Sequence, residues 1–470
     1  MSATDSAVLS ATELMLHYRR RTLSPVEVAR ACLERIGRWN DVVDAFCLID
    51  EEGALASARA SEGRWLKGEP RGLVDGVPAT IKDLVLTRGW TARRGSLTTA
   101  DHPPAAADAP ATARLREAGA VLLGSTTTPE FGWKAVTDNP LGHVARNPWN
   151  IGLTPGGSSG GAAVAAALGM GALHVGTDGG GSIRIPAGFC GIVGLKPTFG
   201  RVPAWPLSPF GTVAHLGPMT RSVADVALML TVISAPDVRD WLSLPADGTD
   251  YRVGLDRGVA GLRIAASATL GFVEVQPEVQ ARFDVAVAAL ADLGARVDSA
   301  DPPVGQPASI FSRTWFPAAA RLMEKLPPEA RPRLDPGFVA MAEQGALYDR
   351  AEIQDAMLER GELGVAMQGF FENYDLLVTP TTALPAFPIG LEHPDQGKER
   401  WSDWAGFSYP FNLTQQPAIT VPAGFTSDGL PVGLQIVGPK YAEALVLRAA
   451  KAFEAICPQP MPPGPLGVAV

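Results

Sequence analysis

Histidine and cysteine are scarce in this chain, with six and four in 470 residues. The cysteines, Cys32, Cys47, Cys190 and Cys457, are scattered, form no C-x-x-C pair and have apolar neighbours. That usage favours buried free thiols in a reducing compartment over a disulfide. None of the histidines, at positions 17, 102, 143, 174, 215 and 393, lies in a recognisable catalytic-triad context. No apolar stretch reaches ~18 residues without interruption, which argues against a transmembrane helix. Met1 to Val8 lacks a basic segment followed by an apolar core, so no secretory signal is expected and a cytoplasmic location follows by default. The net charge of −9 makes a nucleic-acid backbone a poor partner, and no run of like charges marks an interaction tail.

What is present is ample apolar material, 46% of the residues, enough for a large core. Ser10-Ala11-Thr12-Glu13 and Ser24-Pro25-Val26-Glu27 both read as capping boxes, the second with proline at the first helical position. Val28, Cys32, Leu33 and Ile36 then fall on one helical face. Residues 111–118 read as a helix stopped by Gly119, followed by a buried strand over 120–123. Residues 277–293 repeat the plan, with Pro277 opening, Gly294 closing and Ala295-Arg296-Val297 following. Short apolar runs at Leu262–Ala266, Asp375–Val378, Ala418–Val421 and Val432–Val437 read as buried strands. Helix alternating with buried strand implies an α/β fold with helices on both faces of a sheet. Residues of about 230–370 carry fewer signals and more proline. They fit either a peripheral, substrate-shaping part of one domain or a loosely separate subdomain.

Two glycine-rich segments dominate. Thr154-Pro155-Gly156-Gly157-Ser158-Ser159-Gly160-Gly161 leads into Ala162–Ala172, apolar on every side and so a buried helix. Val175-Gly176-Thr177-Asp178-Gly179-Gly180-Gly181-Ser182 follows a short strand. Attack on a carbonyl puts negative charge on oxygen, and successive backbone N–H groups converge on that oxygen only where side chains are absent. A flexible surface loop is the plain alternative, but it fits poorly between a buried helix and a strand. His174 reads as a core histidine, and lysine is the other option as a base for these serines. Lys82 ends the apolar run Gly76-Val77-Pro78-Ala79-Thr80-Ile81. Alone it would pass for a surface lysine; a catalytic one must be neutral near pH 7, which takes burial or nearby positive charge.

Pro155 to Gly161, followed by Gly179-Gly180-Gly181-Ser182-Ile183-Arg184-Ile185-Pro186-Ala187, resembles the amidase signature family. Gly76-Val77-Pro78 with Ile81-Lys82-Asp83 matches its lysine strand, and Thr128-Pro129-Glu130-Phe131-Gly132, Arg146 to Asn150, Gly194 to Thr198, Gly217 to Arg221, Asp375 to Thr381 and Asn412 to Gly424 resemble further segments. The resemblance spans about residues 8–455. It implies a single catalytic domain over 1–470, with a mixed, twisted central sheet covered by helices. It implies Ser182 as the acylated nucleophile, Ser158 as a proton bridge following a cis peptide bond, and Lys82 as base. The amides of Gly179, Gly180, Gly181 and Ser182 would form an oxyanion hole, with Phe131 and Gly132 at the substrate. Thr177, Asp178 and Arg184 would hold the glycine loop, although a purely structural ion pair explains Asp178 and Arg184 equally well. Neither a metal nor an organic cofactor is called for, and related enzymes are often dimers.

Ser125-Thr126-Thr127 stands where family members often carry Lys-Thr-Asn, which touches the pocket more than the chemistry. The glycine-rich basic helix of the glutamine-hydrolysing amidotransferase subunit is not evident near 350–370, favouring a stand-alone hydrolase over that partner-dependent alternative. An α/β-hydrolase esterase is a further rival, since Gly156-Gly157-Ser158-Ser159-Gly160 satisfies G-x-S-x-G. That motif requires a strand before the serine, where residues 147–155 read as loop. Nucleotide binding fails for want of G-K-[ST] after the glycines. Phe131, Trp133, Phe311, Trp315, Phe316, Trp401, Trp404 and Phe407 are candidates for an apolar pocket or for plain core. The expected substrate is a small-molecule apolar or aryl amide, with esters or carbamates as alternatives.

Overall fold

Local chemistry sets many of the element boundaries. Ser10 and Glu13 close a capping box at helix Ala11–Arg20, and Ser24 and Glu27 close another at helix Pro25–Val43. Helix Pro110–Glu117 ends where Gly119 turns left-handed at φ +90°, and a strand follows at once. The computed structural model describes residues 5–305, 307–395, 400–458 and 460–464; the two ends of the expected 1–470 domain lie outside them.

The strands are β1 (Phe46–Ile49), β2 (Pro78–Lys82), β3 (Val121–Thr126), β4 (Leu173–Asp178), β5 (Val193–Lys196), β6 (His215–Thr220), β7 (Arg263–Ala266), β8 (Arg296–Ser299), β9 (Leu376–Pro380), β10 (Ala418–Phe425) and β11 (Pro431–Val437). They form one mixed sheet in the order β1-β3-β2-β4-β6-β5-β10-β11-β9-β7-β8. Alternate strand residues enter two separate apolar clusters. Leu376 and Val378 join one and Leu377 the other; Ile264 and Ala266 join the first and Ala265 the second. Successive strand side chains point to opposite faces, so both faces of the sheet are covered. Helices 25–43, 160–167, 223–233 and 443–456 contribute to the first cluster. Helices 307–324, 336–345 and 350–373 build the second, aromatic one.

Three expectations are corrected. The all-buried helix runs over Gly160–Ala167 rather than to Ala172, because Gly169 (φ +67°) and Gly171 (φ +125°) leave the helical region and Ala172 N–H turns to Pro78 C=O at 3.0 Å. The strand after helix Pro277–Asp292 is not buried: β8 is the edge of the sheet, and Arg296 is exposed. All four cysteines are free, but Cys47 and Cys457 are half-buried while Cys32 and Cys190 are buried. The stretch 230–370 supplies β7 and β8 to the main sheet and places helix 307–324 over the cavity described next.

Candidate active site

β2 lies between β3 and β4 and runs parallel to both, with Ile81 opposite Val175. The carboxyl ends of β2 and β4 therefore emerge side by side, where open α/β sheets form their clefts. Lys82 closes β2, and Thr177 and Asp178 close β4. Lys82 is fully buried, and its Nζ hydrogen-bonds to Ser158 Oγ (2.7 Å), Thr177 Oγ1 (2.8 Å) and Ser159 Oγ (2.9 Å). Burial drives its pKa well below the ordinary 10.5, and the Asp178 charge opposes this without cancelling it.

Ser158 follows a cis Gly157–Ser158 peptide bond. Thr137 braces this turn: its Oγ1 donates to Gly156 C=O at 2.8 Å and accepts from Gly160 N–H at 3.2 Å. Ser159 N–H donates to Ser182 C=O at 3.1 Å, tying the two serine loops together. Ser158 and Ser182 line one cavity, although among the described residues no hydrogen bond joins their hydroxyls. Ser159 and Thr137 were missed by sequence reasoning. The Ser158-Ser159 doublet was the signal for the first; nothing local marks Thr137.

Beneath the glycine loop sits a buried charge network. The Asp178 carboxylate accepts from Gly181 N–H (2.8 Å), Ile183 N–H (3.1 Å), Arg184 Nε (3.0 Å) and Nη2 (2.9 Å), and Asn412 Nδ2 (2.9 Å). Arg184, itself fully buried, also donates to Ser408 C=O, Gln435 Oε1 and Asn412 Oδ1. Burial alone would raise the Asp178 pKa, but Arg184 and these donors hold it well below the carboxylate range. Gly181 N–H is thus engaged by Asp178, whereas the N–H groups of Gly179, Gly180 and Ser182 carry no bond among the described residues.

A side chain at position 179 would drive a Cβ to 2.6 Å from the Trp315 ring. Gly132, at φ +71°, brings its backbone against Ser158: a Cβ there would sit 3.2 Å from Ser158 Oγ and 2.7 Å from Leu84. The cavity, of about 150 Å³, is lined by Ser158, Ser182, Thr177, Gly132 and Gly179. Its walls include Leu84, Phe131, Trp205, Phe210 and Trp315, the last two stacked at 3.7 Å between centroids. Of the aromatics singled out from sequence, Phe131 and Trp315 line it. Phe311 and Trp401 stand behind Gly180, and Trp133, Phe316, Trp404 and Phe407 pack in the aromatic cluster. Trp205, Leu207 and Phe210 escaped notice because residues 203–209 carry prolines and no periodic pattern.

The α/β-hydrolase reading does not survive this arrangement. Residues before Ser158 form a loop, not a strand. His215 Nδ1 is engaged with Val213 C=O at 2.8 Å, burial holds the ring neutral, and His393 borders a different cavity. His174 is a core histidine bonded to Thr80 Oγ1 at 2.8 Å. Among the described residues no helix is long and apolar enough to cross a membrane, and no group of acidic, histidine or cysteine side chains is placed to hold a metal ion.

A buried lysine against paired serine loops, at the carboxyl ends of parallel strands in a mixed sheet, places this chain among the serine-dependent amide hydrolases. Residues 27–447 match the Amidase family, and the chain belongs to it. It is 41% identical over 458 residues to an acylamidase of Rhodococcus erythropolis, with 96% of each chain covered. It is 36% identical to one component of the glutamyl-tRNA(Gln) amidotransferase of Chloroflexus aurantiacus, over 92% of this chain and 93% of that one. A bacterial aryl acylamidase of the amidase signature enzymes has the same fold, with a TM-score of 0.89, 31% identity and 96% of each chain covered. The chain is an amidase.

Proposed function

We propose that this amidase cleaves the C–N bond of apolar or aryl amides through an acyl-enzyme on Ser182, with Ser158 relaying protons and Lys82 as base. The observation that carries this reading is the hydrogen bonding of Lys82. A neutral amine has two N–H groups and one lone pair. Ser159 Oγ already donates to Thr177 C=O at 3.1 Å, so it accepts from Lys82, as Thr177 Oγ1 does. The lone pair is then left for the Ser158 hydroxyl, as a base requires.

Ser158 passes its proton to Lys82 as it takes one from Ser182, and Ser182 Oγ attacks the carbonyl carbon. The Ser182–Ser158 link forms when substrate enters, since catalytic hydrogen bonds commonly tighten in the Michaelis complex. The amides of Gly179, Gly180 and Ser182 receive the oxyanion; one such donor is worth roughly 3–4 kcal/mol. Asp178 and Arg184 hold the loop that presents them. Ser158 then protonates the departing amine, the C–N bond breaks, and water attacks the acyl-enzyme through the same relay. The scheme calls on no metal or organic cofactor.

The apolar and aromatic cavity walls support apolar or aryl amides, as do the names of the acylamidase relative and the aryl acylamidase neighbour. Aryl esters and carbamates share the required geometry and serve as alternative substrates. We take the chain as one catalytic domain acting in the cytoplasm as a homodimer. The unbroken sheet supports the first, cysteine usage the second and the family resemblance the third. Sedimentation of the purified chain reads the oligomeric state. Activity is tested with the purified chain alone on anilides, aryl esters, carbamates and glutamine. Anilide turnover with kcat/KM well above that for glutamine is expected; glutamine cleavage that needs a partner protein would move the assignment to the amidotransferase class.

A further inference from the structure

The cavity lining is mainly apolar, with the hydroxyls of Ser158, Thr177, Ser182 and Ser208 and the neutral His215 ring among it, and it holds one residue with a permanent charge. Arg94 is half-buried and lines the cavity with Ser158, Ser182 and Phe131. Among the described residues nothing hydrogen-bonds or ion-pairs with its guanidinium. Asp83, whose charge reaches Arg94, spends its carboxylate on the backbone N–H groups of Arg93 (3.0 Å) and Gly95 (3.3 Å). Asp178, by contrast, is paired with Arg184 at 2.9 Å.

The backbone makes Arg94 more unusual still. Its φ is +55°, a left-handed conformation that disfavours any residue with a Cβ. Its carbonyl accepts from Phe131 N–H at 2.8 Å, so that conformation is built into the same wall that carries Phe131. A strained position that would suit glycine holds instead a long cationic residue in the lining of the reacting cavity. Left-handed non-glycine residues cluster at active sites and ligand clamps.

We infer that Arg94 is a specificity-determining residue that binds a carboxylate on the substrate, so that this amidase favours amides whose apolar or aryl body ends in one anionic group. The inference rests on the reading of Ser182 as the acylated residue. A guanidinium offers paired N–H donors in the fork geometry a carboxylate accepts, and a half-desolvated site strengthens that bond. The carboxylate sits on either the acyl or the amine portion, and the test separates the two.

Two matched pairs serve: hexanoyl p-nitroanilide with the mono-p-nitroanilide of adipic acid, and hexananilide with N-hexanoyl-4-aminobenzoate. In the native enzyme one carboxylated member is expected to exceed its neutral partner in kcat/KM by about tenfold or more. Arg94→Gln should bring that ratio to about one, chiefly through KM, and Arg94→Lys should keep an intermediate value. Arg94→Gly, which suits the left-handed backbone, should also erase the ratio while melting no lower than the native protein. The readout is a ratio within one enzyme, so a loss common to both substrates does not disturb it. Calorimetric binding of the same pairs to Ser182→Ala reads the preference without turnover. Ratios near one for both pairs, or a ratio that survives in Arg94→Gln, overturn the assignment while leaving the proposed function intact. Failure to cleave any of the four amides overturns the proposed function instead, and the binding ratio then decides Arg94 on its own.

Discussion

In the proposed scheme Lys82 serves chemistry at the expense of stability. Its amine is sealed from water and bonded to three hydroxyls, with no carboxylate among the described residues in contact to offset a positive charge. Because kcat/KM in the proposed scheme requires the neutral amine, activity should fall as pH drops through its depressed pKa. The acid limb measured on an anilide is expected well below 10.5. Lys82→Met should abolish turnover yet melt at or above the native temperature, since it removes a desolvated amine. The unfolded chain keeps that proton to higher pH than the native one, so the penalty is full at acid pH and fades as pH rises toward 10.5. The gain in melting temperature should therefore be largest on the acid side. Ser182→Ala should lose about 10⁴-fold or more in kcat with an unchanged melting temperature. A variant at 182 with full turnover would contradict the nucleophile assignment outright. At this scale the sequence was legible where residues form a specific motif, as with the paired glycine-serine loops; Lys82 alone would pass for a surface lysine and was singled out by the family resemblance. Ser159 and Thr137 were not, because a hydroxyl takes its role from neighbours that only folding supplies.

At the scale of elements, the turn after β4 depends on the salt bridge beneath it. Asp178 is held ionised, so its contribution is present above the ordinary carboxylate range and is lost only as pH falls through the depressed value. Asp178→Asn leaves Arg184 buried without its countercharge, and the destabilisation should be roughly 3–5 kcal/mol in urea unfolding. It should also lower kcat, because Gly181 N–H loses the anchor that shapes the loop. A milder change tests the opposite wall. Gly132→Ala places a methyl in a left-handed position, 3.2 Å from Ser158 Oγ. It should reduce kcat by at least tenfold at a cost of about 1 kcal/mol, so a variant destabilised this much but with unchanged kcat would show that the wall and the relay are independent. Helix starts were readable because caps are local chemistry, as at Ser10 and Ser24. The early end of helix 160–167 and the exposure of β8 were not. A buried alanine run gives no hint of where its glycines turn, and edge position depends on strand order rather than on the strand itself.

At the scale of the molecule, Lys82, Ser158 and Ser182 all lie in the first two-fifths of the chain, but the site is not local. Arg184 reaches Ser408, Asn412 and Gln435, β5 pairs with β10, and Trp315 closes the cavity from within the 230–370 stretch. Such stitching predicts cooperative unfolding. Far-UV ellipticity, tryptophan fluorescence and anilide activity should be lost in one coincident urea transition. A separate, earlier fluorescence transition would mark 230–370 as an independent unit.

The sequence by itself determined the class of chemistry. A loop that must wrap an oxyanion admits only glycine, and the residues that must exchange protons are few, so both leave a local record. The tertiary structure alone decided that Gly181 N–H is spoken for, that Trp205 and Phe210 wall the cavity, and that Arg94 stands there unpaired among the described residues. These facts follow from strand order and from packing between segments hundreds of residues apart, and no local pattern encodes the partner of a group that lies across the sheet.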